Sequence, residues 1–153
     1  MKFTKIMITT LAASLVLTAC GKEEKAAAPA EATSIKARQD LMQDWRGANE
    51  AMKGMLENPA SFDAAAFKER AEAISNSTAD MWKHFEGEAN KGGNSQDAVW
   101  TDAAAFKAEA DKFSAAAADL VAAASTAQSA ADVEAQFGAM AGTCGSCHKV
   151  FKK

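Results

Sequence analysis

The sequence has 153 residues, with 17 Lys and Arg against 20 Asp and Glu, three cysteines, three tryptophans and no tyrosine. Such a length favours one domain. The acidic balance excludes nucleic acid as a partner, because a phosphate backbone needs a basic footprint.

The chain opens on MKFTKIMITTLAASLVLTAC, where Lys2 and Lys5 precede an apolar run and the small residues Thr18 and Ala19 precede Cys20. A charged start, a short apolar core and a small-residue junction predict a secretory signal over residues 1–19, too short for a spanning helix. LTAC is similar to the bacterial lipobox, which implies cleavage before Cys20 and lipidation of its sulfur. Gly21 rather than an acid follows, and resemblance to bacterial lipoproteins then favours the outer membrane. Cleavage removes two of the 17 basic residues, leaving 15 against 20 acids and a net charge of −5. A surface of that sign would suit a positively charged protein partner. Residues 20–33 are charged and Ala-rich with Pro29 and no apolar period, so they read as a flexible tether.

From there alanine, leucine, lysine, glutamate and methionine dominate, and breaks fall at ENPAS, EGEANKGGNS and STAQS. The spacing predicts helices over 34–56, 61–84, 97–126 and 130–151. Asn58 before Pro59, with Ser61, marks the second start, and Thr101 with Asp102 offers a second start inside the third segment. Ser129 and Asp132 approximate a capping box for the fourth. Four helices with short connections predict an all-α, antiparallel four-helix bundle over residues 34–153. The first helix carries an inward stripe of Ile35, Leu41, Met42, Trp45, Met52 and Leu56, with Arg38 among them. In the last, Phe137, Met140, Cys144, Cys147, His148 and Phe151 lie within roughly 60° of one direction, so the cysteines and histidine are expected to face the interior.

The chemistry is concentrated in GTCGSCHKVFKK, at the end of the last helix. C-x-x-C-H is the attachment signature of haem c: sulfurs three residues apart can reach two vinyl groups on one porphyrin edge, and the next residue can offer its imidazole to the iron. Cys144 and Cys147 would form the thioethers and His148 would be the proximal ligand. A thioredoxin-like redox pair uses the same thiols but normally opens a helix after a strand. A zinc site needs four ligands, and beyond this cluster the only other histidine is His84. If Cys20 takes lipid, Cys144 and Cys147 are the cysteines that remain. No carboxylate pair, nucleophile triad or phosphate loop is visible, so no enzymatic activity is expected.

With RQDLMQDW in the first helix, SFDAAAFK opening the second, WKHFEGEANKGGNSQDAVW, FKAEADKF, and FGAMAGTCGSCHKVFKK at the end, the chain resembles the class II c-type cytochromes, that is cytochrome c′ and its low-spin relatives. The resemblance covers essentially residues 35–153. It implies a four-helix bundle carrying one covalent haem c near the C-terminus, in electron transfer or reversible binding of nitric oxide or carbon monoxide. It also implies that Arg38 and Gln39 lie close to the haem and bond a propionate; an arginine with its head in water at the bundle rim is the alternative. Asn94 stands where some relatives have an aspartate near the haem edge, and Lys152 matches a basic residue beside the proximal imidazole. Met42 falls where the family covers the distal face. An open, five-coordinate, high-spin iron over a non-ligating Met42 is the favoured reading, and a low-spin iron with Met42 as sixth ligand is the alternative. His84 is expected to be a packing residue, and Trp45, Trp82 and Trp100 core and haem-wall aromatics. Relatives of this type often pair through their first two helices, so a homodimer is a further expectation. A redox protein of the envelope is the expected macromolecular partner, with the protein exported to the periplasm.

Overall fold

The structure, a computed structural model, describes the backbone of residues 30–153 and the side chains from Thr33 onward. The signal, Cys20 and most of the tether lie outside the described residues. Five α-helices follow in order: α1 (Ala30–Glu57), α2 (Ala64–Lys83), the single-turn α3 (Ala98–Thr101), α4 (Ala103–Ala124) and α5 (Glu134–Phe151). The four long helices form the predicted bundle, in which α1 packs on α2, α2 on α4 and α4 on α5. No β-strand occurs among the described residues. None of their helices is long and apolar enough to cross a membrane.

The first helix begins earlier than its composition suggested. Ala30 to Thr33, assigned above to the tether, are the first turn of α1. The helix continues back through strong helix formers to the residue after Pro29, the next breaker in the sequence. The start of α2 moves the other way. Pro59–Ser61 is a turn of 3-10 helix, and the capping residue is Asp63, whose carboxylate accepts from the Ala65 and Ala66 amides. The predicted third helix is divided at Asp102, which caps α4 by accepting from the Ala105 amide. Ser129 and Asp132 form the expected capping box, but around a 3-10 turn that precedes α5.

Two of the long helices bury a stripe with steps of three and four residues: Phe67, Ala71, Ile74, Thr78 and Met81 on α2, and Ala110, Phe113, Ala117, Leu120 and Ala124 on α4. This is the spacing that keeps one face of a helix on its neighbours along its whole length. The alanines allow the backbones to approach, and the aromatics fill what remains. Trp45 stacks on Phe113 with ring centroids 4.6 Å apart and meets Trp82 edge-on at 5.6 Å. The buried ends of these rings are satisfied, because Trp45 Nε1 donates to Ser77 Oγ at 2.7 Å and Trp82 Nε1 to Ser114 Oγ at 3.0 Å.

The connection from α2 to α3 is shaped by Arg38. Its guanidinium, 3% exposed, donates to the carbonyls of His84, Asn90 and Gly92 at 2.9, 2.7 and 2.8 Å. It lies over the rings of Phe85 and Trp100, at 4.8 and 5.8 Å from their centroids. This excludes the solvent-facing arginine of the bundle rim. The loop can press so closely on α1 because Gly93 has φ +59°, and a Cβ there would stand 3.1 Å from Ile35 Cγ2. The far side of the loop is tied to the end of α5: Gln96 N donates to Phe151 O and Lys153 N to Asn94 O, both at 2.9 Å.

Candidate functional site

A cavity of about 660 Å³ opens between α1, α4 and α5, within the range of about 300–1,000 Å³ usual for ligand sites. The α5 wall carries Cys144, Cys147 and His148; the α1 wall carries Arg38, Gln39, Met42 and Trp45; and Asn94 and Lys152 lie together where the loop meets the end of α5. Residues up to about a hundred positions apart are thus brought to one space. Phe106, Phe113, Met140 and Phe151 supply its apolar lining.

The motif's side chains differ in exposure. Cys144 and Cys147 are half-buried, as the helical projection requires, whereas His148 lines the cavity and remains exposed. Burial lowers the His148 pKa, and the nearby Lys152 charge lowers it further. The ring is therefore neutral near pH 7, with a nitrogen lone pair free for a metal. Burial raises the Cys144 thiol, and burial followed by the Glu109 and Cys144 charges pushes Cys147 up to about 11.

These are not the depressed thiols of a disulfide oxidoreductase, so the haem-free redox pair loses its chemical basis. Zinc fares no better, since no group of three or more His, Cys, Asp or Glu among the described residues is placed to hold a metal ion. Two thiols and a neutral imidazole on one wall of a largely aromatic cavity do fit a planar apolar macrocycle with two attachment points and an axial ligand.

Other predicted residues fall partly outside this arrangement. Trp82 lines the cavity with Trp45, but Trp100 does not; its indole donates to Phe85 O at 2.9 Å and its ring covers Arg38. His84 is half-buried away from the cavity, with Nε2 3.8 Å from Asp80 and its carbonyl engaged by Arg38. Two polar residues on the cavity wall were not singled out from the sequence. Asn49 Oδ1 is buried without a hydrogen-bond partner, and Glu109 Oε2 accepts from Ser146 Oγ at 2.5 Å. The signal for both was available in their spacing. Asn49 is four residues after Trp45 and Glu109 three after Phe106, so each is a polar residue on an inward stripe.

Comparison with known proteins places this geometry. The sequence profile described as cytochrome c′ matches residues 33–152. A cytochrome c′ of Rubrivivax gelatinosus is 38% identical over 101 residues, covering 65% of this chain and 78% of its own. A ferrous variant of cytochrome c prime from Alcaligenes xylosoxidans superposes with a TM-score of 0.75 at 28% identity, covering 80% of this chain and 97% of that one. The nitric oxide complex of a point mutant of the same protein gives 0.75 at 28% identity, covering 80% and 95%. Over nearly all of its described length, then, the chain belongs to the cytochrome c′ family, whose members are periplasmic and carry one covalently attached haem c.

Proposed function

We propose that Cys144 and Cys147 hold the haem through thioether bonds, that His148 is its proximal ligand, and that the protein binds nitric oxide or carbon monoxide at a five-coordinate, high-spin iron while also serving electron transfer. The observation that carries this reading is a cavity with the C-x-x-C-H side chains on one wall and Met42 on another. A haem held there would supply a one-electron couple and an iron able to bind a small gas. Met42 is half-buried and packs with the core cluster, which suits an apolar cover for that face. Trp45, Ile74 and Phe113 continue the cover and limit the water that reaches it.

At the other end of the cavity, Gln39 and Asn94 present exposed amides beside Arg38. Arg38 uses three of its five N–H donors on carbonyls, and the remaining two are available to a propionate. Lys152 sits at the end of α5, where its charge adds to burial in lowering the imidazole pKa. The nitric oxide complex of the Alcaligenes xylosoxidans relative supports the gas-binding half of the proposal. The lipobox at Cys20 supports a lipid anchor, with the outer membrane and an envelope redox partner as its extensions, and membership of the family supports a homodimer through the first two helices.

The second reading, a low-spin iron with Met42 as sixth ligand, is favoured by the same placement, since a thioether already lines the cavity. The visible spectrum of the reduced protein with and without carbon monoxide separates the two. A broad high-spin band that shifts with the gas is expected. A sharp low-spin band indifferent to carbon monoxide, abolished by Met42→Ala, would overturn the open-site reading.

A further inference from the structure

Glu109 is a carboxylate on the inward face of α4, three residues after Phe106 and four before Phe113, and all three line the cavity. An acid on such a stripe needs partners. Its Oε2 accepts from Ser146 Oγ at 2.5 Å, and its Oε1 lies 3.8 Å from Lys112 Nζ. Ser146 is the second intervening residue of CGSCH, so the carboxylate is clasped to the motif itself from a different helix. Glu109 is 26% exposed whereas Lys112 is 59% exposed. The negative charge is therefore the better shielded of the pair, and its cation is screened by water and salt.

We propose that Glu109 is a potential-tuning residue, whose carboxylate favours the oxidised over the reduced iron held by Cys144, Cys147 and His148 and so lowers the reduction potential. The inference rests on the reading of those three residues as the haem site. Oxidised iron carries one more positive charge than reduced iron, and a fixed negative charge in a partly shielded wall stabilises the former more. Net charge, burial and hydrogen bonding beside the prosthetic group are the levers by which a protein sets such a potential. Ser146 holds the carboxylate in place, and Lys112 offsets part of its charge.

The test is spectroelectrochemical titration of the purified holoprotein at pH 7 and low ionic strength, with the electrode supplying the electron, after covalent haem has been verified by mass. Glu109→Gln keeps the size and an acceptor for Ser146 but removes the charge. Ser146→Ala keeps the charge and removes the clasp. At the wild-type midpoint, Glu109→Gln is expected to raise the ratio of reduced to oxidised protein several-fold, and Ser146→Ala to leave it within about twofold. An unchanged ratio in Glu109→Gln, or equal shifts in both variants, overturns the inference and leaves Glu109 as a structural acceptor, with the haem site intact. If Glu109→Gln is not recovered with haem, Glu109→Ala decides: a higher ratio of reduced to oxidised protein is expected, and no change overturns the inference. A wild-type mass without covalent haem overturns both the inference and the site on which it rests.

Discussion

Replacing Arg38 by methionine is expected to destabilise the fold by about 3 kcal/mol. The guanidinium is buried and donates to three carbonyls of the loop after α2, at His84, Asn90 and Gly92. A hydrogen bond from a charged donor contributes about 1.5 kcal/mol at the low end, or about 4.5 kcal/mol for the set. Water reaches these part-buried carbonyls once the cation is gone, and methionine keeps some of the contact with Phe85, which together bring the loss to about 3 kcal/mol. Burial lowers the Arg38 pKa from its ordinary value, but the group remains charged at neutral pH, so the loss is the same between about pH 5 and 8. Urea unfolding followed by tryptophan emission gives the stability change, and hydrogen exchange locates it. Protection should fall first across residues 88–93. A loss below about 1 kcal/mol, or exchange rising evenly through the bundle, would refute the assignment of Arg38 as the clamp of this loop. Arg38→Lys should fall between wild type and Arg38→Met, because a compact ammonium cannot span three carbonyls as a guanidinium does.

Two other changes test the helix entry and the cavity wall. Asp132 accepts from the Gln128 amide, the Ser129 amide and Ser129 Oγ, and these bonds, led by that from Gln128, hold its carboxyl below 3.8. Because the folded pKa is the lower one, this contribution is present above the ordinary value and lost as pH falls through the depressed one. The difference in melting temperature between wild type and Asp132→Asn should therefore shrink on acidification below about pH 4; a constant difference from about pH 6 to 2.5 would sink the idea. Asn49→Leu removes a buried oxygen without a partner and is expected to stabilise the protein by about 1 kcal/mol. A lower urea midpoint in that variant would show that the amide is satisfied in solution.

Much of the architecture was legible because alanine-rich helices and their breakers are local signals. Ser129 and Asp132 were readable as a pair, and Asp102 was visible as a possible start inside the third segment. Asp63 was passed over for Ser61 because both are good capping residues two positions apart. What separates them is that Phe62 is extended, with ψ 120°, and puts Asp63 where its carboxylate meets the Ala65 and Ala66 amides. The inward direction of Cys144, Cys147 and His148 was legible because a helical projection fixes direction around the axis, and all three line the cavity.

The sequence by itself determined the helical class, the family and the three residues with the chemistry of attachment, since these depend on composition, spacing and one short motif. The tertiary structure decided everything that depends on partners remote in the chain. Arg38 finds its carbonyls 46 to 54 residues later, and Glu109 reaches Ser146 37 residues on. Periodicity can say that a charged side chain faces inward. Only packing brings the group that makes burial of that charge tolerable, because desolvation is local to a helix whereas its compensation comes from across the bundle.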